Sequence, residues 1–165
     1  MLALPTEVLQ VMDEFRTCEF TTIGKDGVPV TWPLVTFRRP SDGVFLATTS
    51  IGLPQKAWNI RRSPRVSLLF SDPTGSGLTD PPTVLVQGDA TCPDVIVADA
   101  SGLDEYVVRM FQRQPIARFY GADPLSRRLL AWYYYRLVIE VVPRTIRWWP
   151  ASRLRQPAHV VEATP

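Results

Sequence analysis

The chain has 165 residues, of which 45% are hydrophobic and 21% are charged, and its formal net charge is +2. This is the composition of an ordinary globular protein, and it excludes a largely disordered chain. A net charge this small gives no argument for a nucleic-acid partner. We expect one folded domain over residues 1–150, followed by a C-terminal tail or arm over residues 151–165.

The cysteines and the single histidine exclude several kinds of site. Cys18 and Cys92 lie far apart in apolar, strand-like stretches, which favours two reduced, buried thiols over a disulfide or a metal site. His159, the only histidine, lies in the tail, so the sequence excludes a His-rich zinc site and disfavours a haem axial ligand.

The N-terminus lacks the pattern of a signal peptide, and Arg136 and Glu140 interrupt the longest apolar run. We expect a cytoplasmic protein with no metal and no membrane partner.

The first part of the chain predicts one helix and then strands. Apolar side chains at helical spacing indicate a helix over residues 6–16, with Thr6 as a candidate N-cap. An Asp-Gly turn connects strands over residues 18–24 and 28–37, and a third strand covers residues 44–50. Because the connections are short, these strands are expected to form an antiparallel meander.

The rest of the chain alternates between short helices and strands. A helix is predicted over residues 54–62 and a strand over residues 65–71. The polar loop over residues 72–82 is long enough to be functional or to form an interface, and a tolerated insertion explains it equally well. Residues 83–92 are predicted to form a strand, and residues 94–114 a mostly helical segment. A helical turn or two is predicted over residues 124–131, followed by two final strands over residues 132–142 and 144–149. The pattern indicates a mainly β fold with peripheral helices, a small closed antiparallel barrel.

A basic segment without acidic neighbours is the clearest functional signal. No acidic residue occurs between Asp42 and Asp72, whereas four basic residues fall in this window: Lys56, Arg61, Arg62 and Arg65. On the predicted helix, Lys56 and Arg61 flank an apolar stripe, whereas Asn59 and Arg62 point elsewhere. The window predicts a phosphate site, and its alternative is a solvated basic helix face.

Three hydroxyl side chains precede this helix and could complete the phosphate site. They end the third strand as Thr48, Thr49 and Ser50. Together with a lysine charge, an arginine fork and the free N–H groups of a helix N-terminus, they would suit a phosphate.

Two strands carry residues that suit close approach of another group. Pro29 and Pro33 remove hydrogen-bond donors from the second strand, so it is expected at a sheet edge, where it either meets a planar ligand or is protected from aggregation. Gly88 and Ala90 share one face of the fifth strand, which a ligand, a second subunit or a bulky core aromatic could approach.

At these residues the sequence resembles the pyridoxamine 5′-phosphate oxidase-like family, the FMN-binding split barrels. The resemblance rests on Thr48-Thr49-Ser50, on the block from Lys56 to Phe70, and on Val86-Gln87-Gly88-x-Ala90. It covers residues 15–93 and implies an antiparallel split β-barrel, a homodimer, and a flavin bound between the subunits.

The resemblance also implies residue roles. Lys56 matches the phosphate-binding lysine, Arg61 is a second phosphate ligand, and Gln55 stands where true oxidases often carry an arginine. The strand from Trp32 to Val35 lies along the isoalloxazine ring, and Thr49 and Ser50 contact the ribityl chain or the phosphate. The predicted cofactor-binding set is Trp32, Pro33, Leu34, Val35, Thr48, Thr49, Ser50, Gln55, Lys56, Arg61, Gln87 and Trp149.

The C-terminal region departs from the true oxidases. Their substrate motif contains a His and an Asp, whereas this chain reads Arg153-Leu154-Arg155-Gln156-Pro157. We therefore expect an FMN- or F420-dependent oxidoreductase that transfers a hydride to a small molecule other than a B6 vitamer, with no catalytic side chain identified. The alternatives are a cofactor-binding carrier, sensor or stress protein without turnover, and a haem-binding protein.

Overall fold

The computed structural model describes residues 4–97, 106, 108, 110 and 135–162. The predicted helical turns over residues 124–131, and most of the predicted helix over residues 94–114, lie outside this part. The helices and strands, in chain order, are α1 (Thr6–Glu14), β1 (Cys18–Ile23), β2 (Pro29–Leu34), β3 (Phe37–Arg38), β4 (Phe45–Ser50), α2 (Gln55–Arg62), β5 (Arg65–Phe70), β6 (Thr83–Thr91), β7 (Ile96–Val97), β8 (Arg136–Trp149), a short 3-10 helix (Pro150–Ser152) and β9 (His159–Glu162).

The strands form one antiparallel sheet whose two edges are consecutive in the chain. The order is β2-β1-β5-β6-β8-β4-β3, and β7 and β9 also pair with β8. β2 and β3 lie at opposite ends of this order, yet only Val35 and Thr36 separate them. The sheet must therefore curl until its edges meet, which confirms the predicted antiparallel split barrel.

The predicted meander is only partly correct. β1 pairs with β2, and β3 pairs with β4, both antiparallel. The predicted strand over residues 28–37 is instead two strands, because the chain bends at Val35 and Thr36 to pass from one sheet edge to the other. β4 consequently pairs with β8, which is distant in sequence, and not with β2.

The barrel interior is filled by alternate residues of the strands. Its largest buried side chains include Phe20, Phe45, Phe70, Leu68 and Ile139, each at most 1% exposed. α1 adds Val8, Val11 and Met12, which repeat at the spacing of one helix face, and its C-cap residue Phe15 is buried beside them. Burial of each such side chain stabilises the fold by roughly 1.5–3 kcal/mol.

α1 begins without the predicted side-chain cap. Pro5, and not Thr6, is the N-cap residue, and no side chain caps the helix. The carbonyl oxygen of Pro5 instead accepts hydrogen bonds from the N–H groups of Val8, at 3.0 Å, and Leu9, at 3.2 Å. The helix ends at Glu14, two residues before the predicted end.

β8 is one strand of 14 residues, where two strands separated by Pro143 were predicted. The pairing with β6 shifts register between Gln87 and Gly88, so Gly88 faces Pro143 and Arg144 is left in a bulge. A Cβ on Gly88 would overlap the carbonyl oxygen of Val142. The close approach at Gly88 is therefore made by the backbone of β8 and not by a ligand or a second subunit.

The C-terminal segment returns to the sheet as β9. Its residues pair with β8 from Thr145 to Trp148, and the His159 ring stacks on Trp148 at 5.3 Å between ring centroids. β7 occupies residues that were predicted to begin a helix, whereas the described residues 106, 108 and 110 are helical. The predicted loop over residues 72–82 contains no helix or strand.

The two cysteines are free and buried, as predicted. No group of three metal-ligating side chains occurs among the described residues. In the same part of the chain, no helix combines the length and the apolar character needed to cross a lipid bilayer.

Candidate cofactor site

A tight turn connects the end of β4 to α2. The N–H of Leu53 donates to the carbonyl of Ser50 at 2.9 Å, and the N–H of Gly52 donates to its Oγ at 3.2 Å. Thr49 Oγ1 donates to the carbonyl of Leu53 at 2.8 Å. Thr49 and Ser50 are both at most 5% exposed, so their hydroxyls stabilise the turn that positions α2.

Asn59 fixes α2 against the sheet. Its side chain is fully buried, and Nδ2 donates to Thr22 Oγ1 on β1 at 2.9 Å. Its Oδ1 accepts from Gln55 Nε2 at 2.9 Å and from Arg62 Nη2 at 2.5 Å. The expectation that Asn59 points away from the buried face was wrong, because this face includes a polar partner, Thr22. Both the amide nitrogen and the amide oxygen of Asn59 have hydrogen-bond partners, so this buried side chain fixes the rotation of α2 about its axis. The rotation of α2 in turn determines the direction of Lys56.

Lys56 lies half-buried at the edge of the barrel. Its Nζ is 5.2 Å from the centroid of the Trp32 ring, within cation–π range. Burial lowers the pKa of Lys56 below its ordinary value. None of the ion pairs in the described part of the chain includes Lys56. The geometry thus leaves a partly desolvated positive charge beside an exposed aromatic ring.

β2 lies at an edge of the sheet, as its prolines predicted. Trp32 pairs with the buried Phe20, which places it on the core-facing side, but the edge position leaves it 43% exposed. Pro33 is exposed on the opposite side. Leu34 is partly buried against the core and Val35 is buried, so Trp32 and Pro33 are the most exposed of the four predicted ring contacts.

Arg61 is held by the segment that follows β6. Its Nε donates to the carbonyl of Cys92 at 2.8 Å, and its Nη2 contacts the carbonyl of Pro93 and the carboxylate of Asp94, both at 3.1 Å. Five residues along a helix correspond to a rotation of about 140°. The structure therefore directs Arg61 away from Lys56 and gives it a structural role.

The other predicted residues lie on different faces. Thr48 Oγ1 is 3.1 Å from the hydroxyl of Tyr106, on the face of β4 opposite to Thr49. Gln87 lies on β6, which β1 and β5 separate from β2, and it accepts a hydrogen bond from Arg147. Trp149 pairs with Thr83 at the far end of β8. Within one chain the structure places Lys56 beside Trp32, and these two residues are called the Lys56 cluster below. Gln55 precedes Lys56 on α2, and Thr49 and Ser50 end the strand before that helix.

The comparisons with known proteins agree with this architecture. No protein-family model and no curated protein sequence matches the chain. A solved structure from Clostridium acetobutylicum, described as related to general stress protein 26 and as of the pyridoxinephosphate oxidase family, has a TM-score of 0.61 and covers 94% of this chain and 92% of its own. The chain has the split-barrel fold of the pyridoxamine 5′-phosphate oxidase-like proteins. The sequence identity in this pair is 10%, so the likeness is one of fold.

The names of two further solved structures mention different groups, F420 and heme. An F420 reductase has a TM-score of 0.56 and 19% identity, and the match covers 87% of this chain and 98% of that one. A heme binding protein from Mycobacterium smegmatis has a TM-score of 0.60 and 13% identity, and the match covers 98% of this chain and 60% of that one. The shared fold therefore does not decide which group this chain binds, and the argument for any one of them must come from its own residues.

Proposed function

We propose that this split barrel binds a phosphate-bearing flavin or deazaflavin, FMN or F420, and acts as an oxidoreductase. The observation that carries the proposal is the half-buried ammonium group of Lys56 beside the exposed ring of Trp32. Lys56 would bind the phosphate, and Trp32, on the same side of β2 as the Lys56 contact, would lie next to the ring system. The fold, which is shared with proteins named as an oxidase-family member and an F420 reductase, supports this proposal.

The electrostatics of Lys56 fit a phosphate group. A desolvated ammonium group interacts more strongly with an anion than a solvated one does, because the local dielectric constant is lower. Within the described part of the chain no carboxylate forms an ion pair with this ammonium group, so its charge is not neutralised by an acidic side chain there. The bound cofactor would supply the hydride chemistry, and the protein would orient it and exclude water.

The proposal includes a homodimer with the cofactor between subunits. Gln87 and Trp149 lie on other strands than the Lys56 cluster, so a second subunit is the simplest way for them to reach the same cofactor. Analytical ultracentrifugation tests this directly. A monomer at micromolar concentration would remove these two residues from the proposed site.

The proposal excludes oxidation of pyridoxamine phosphate. The segment from Arg153 to Pro157 is exposed and lacks the His and Asp of the true oxidases. Incubation with pyridoxamine 5′-phosphate, FMN and oxygen should produce no pyridoxal 5′-phosphate above a protein-free control.

Titration of FMN and F420, followed by fluorescence, tests the cofactor. The chain contains two lysines, Lys56 and Lys25, and Lys25 is exposed in the β1–β2 turn, which makes it a matched control. Lys56→Ala should weaken binding by ~1.5–3 kcal/mol, or about 10- to 150-fold, because a hydrogen bond to a charged group is lost. Lys25→Ala should leave the affinity unchanged. Equal effects of the two substitutions, or no micromolar binding of either cofactor, would refute the proposal.

A second candidate is cofactor binding without turnover. The solved neighbour related to general stress protein 26 supports it, and no catalytic side chain is assigned in this chain. Turnover with NAD(P)H or reduced F420 and a panel of acceptors separates the two, because a carrier or sensor would bind the cofactor and reduce nothing.

Haem binding is disfavoured by the histidine content of the chain. His159, on β9, is the only histidine, and its ring stacks on Trp148. Histidine is a common axial ligand of haem iron, so the chain offers a single residue of this type for that role. A Soret band in the purified protein would contradict this expectation.

A further inference from the structure

A cavity away from the Lys56 cluster lies between three segments of the chain. Its volume is about 450 Å³, in the range of small-molecule sites. α1 forms one wall, the loop over residues 77–82 forms the second, and the start of the 3-10 helix at Pro150 and Ala151 forms the third.

The polar groups of this cavity are acidic or neutral. Glu7 comes from the first turn of α1 and Asp80 from the loop, so carboxylates stand on two different walls. Gln10 and Thr79 add an amide and a hydroxyl, and no lining residue carries a positive charge. Neither carboxylate belongs to an ion pair of the described residues. The cavity is thus locally negative in a chain whose net charge is +2.

The apolar part of the cavity is rigid. Pro81, Pro82 and Pro150 line it together with Leu78 and Ala151. Proline side chains have almost no rotamer freedom to lose, so a ligand that contacts them incurs little ordering cost.

Hydrogen bonds hold two of the walls together. Thr83 Oγ1 donates to Ser152 Oγ at 3.0 Å, and Ser152 Oγ donates to the carbonyl of Pro81 at 3.2 Å. Asp80 and Ala151, which adjoin the linked residues in the chain, have positive φ values of 46° and 47°. Non-glycine residues retain such backbone only where the surrounding structure holds it, which favours a fixed conformation of these two walls.

We propose that this cavity binds a small organic cation, a primary ammonium group on a short aliphatic chain. The ammonium group would lie between Glu7 and Asp80, and the chain would contact the prolines and Leu78. This site is independent of the cofactor and of the proposed oxidoreductase activity.

Three probes of equal size test the ligand class on the full chain. n-Butylammonium, n-butanol and butyrate are titrated separately while amide resonances are recorded by two-dimensional NMR. Butylammonium should shift the amides of Gly77, Leu78, Thr79 and Gln10 saturably, butanol should bind about fivefold more weakly, and butyrate should not bind. Equal affinity of butylammonium and butanol, or shifts confined to other residues, would overturn the proposal.

Charge-neutral variants test the two carboxylates. Glu7→Gln and Asp80→Asn should each weaken butylammonium binding about fivefold and leave butanol binding unchanged. Asparagine tolerates positive φ, so the loop conformation at residue 80 should persist. Glu14→Gln, at the exposed end of the same helix, is the control and should change nothing. If both cavity variants bind butylammonium as the wild type does, the carboxylates do not recognise the cation and the proposal fails.

Discussion

At the scale of single residues, the partly desolvated charge of Lys56 destabilises the fold but favours the binding of an anion. Its ammonium group lies half-buried, and none of the carboxylates in the described part of the chain forms an ion pair with it. The cation–π contact with Trp32 offsets part of this cost, by about 0.5–1 kcal/mol. An anion that binds here would replace the lost hydration, which is why such a group is better suited to binding than to stability.

The lowered pKa of Lys56 gives a signed pH prediction. Because the folded-state pKa lies below 10.5, the folded protein releases this proton before the unfolded chain does as the pH rises. The unfolded state then binds more protons, so the free energy of unfolding increases through this window. Compared with Lys56→Met, the wild type should therefore gain stability as the pH rises toward 10.5, measured by urea unfolding. A difference that is constant with pH would mean that the ammonium group is fully hydrated.

Asn59 is predicted to be essential for the position of α2. Asn59→Ala removes hydrogen bonds to Thr22, Gln55 and Arg62 and leaves a buried hydroxyl without its donor. The free energy of unfolding should fall by about 2–3 kcal/mol, as measured by urea denaturation. Gln55→Ala, which removes one exposed partner of the same amide, should cost ~0.5 kcal/mol or less. Similar losses in the two variants would show that Asn59 does not organise the helix.

The basic segment that contains Lys56 can be identified from the sequence, but the residues that position Lys56 cannot. A window free of acidic residues is visible in a linear chain, and it indicated the basic segment directly. Asn59 was missed because a helical projection treats every polar residue as outward-facing, whereas Thr22 on β1 supplies a buried partner. The partners of Arg61, the carbonyls after β6, could not be identified from the sequence because they depend on where that strand lies.

At the scale of elements, the sequence predicts turns and the bounds of short helices and strands well, but it does not predict which distant strands pair. The β1–β2 turn, α2 and β5 agree with their predicted ranges to within one or two residues. The break between β2 and β3 and the continuity of β8 were missed. Both depend on partners far along the chain: the barrel closure for the first, and the register shift opposite Gly88 for the second.

The contact between β6 and β8 gives a prediction about Gly88. Gly88→Ala should lower the free energy of unfolding by about 2 kcal/mol or more, because the new Cβ meets backbone of β8 that cannot rotate away. Gly77→Ala is a matched control, since Gly77 has φ +77° but no atom within 4 Å of a new Cβ. Its cost should be ~1 kcal/mol, from backbone strain alone. If urea unfolding gives equal losses, the close approach at Gly88 is not limiting.

At the scale of the whole molecule, one short segment closes the barrel. Val35 and Thr36 connect the two sheet edges, and both are buried. Just beyond them, Arg38 on β3 forms an ion pair with Asp13 of α1 at 3.0 Å. The closure therefore connects α1, through Asp13, to β3 at one edge of the sheet, while the other edge, β2, carries Trp32.

The C-terminal segment completes the other side of the sheet, and adjacent valines can test this. Val161 packs against the core, whereas Val160 is 48% exposed, so Val161→Asp places a charge in the barrel and Val160→Asp does not. Val161→Asp should cost about 2 kcal/mol or more and shift the indole N–H resonance of Trp148 as the His159 stack is lost. Val160→Asp introduces the same low strand propensity without changing the core. It should therefore lower the free energy of unfolding by at most ~1 kcal/mol and should not shift that resonance. If neither variant moves the Trp148 signal, β9 is not held on the barrel, and a C-terminal arm separate from the domain would describe residues 151–165 correctly.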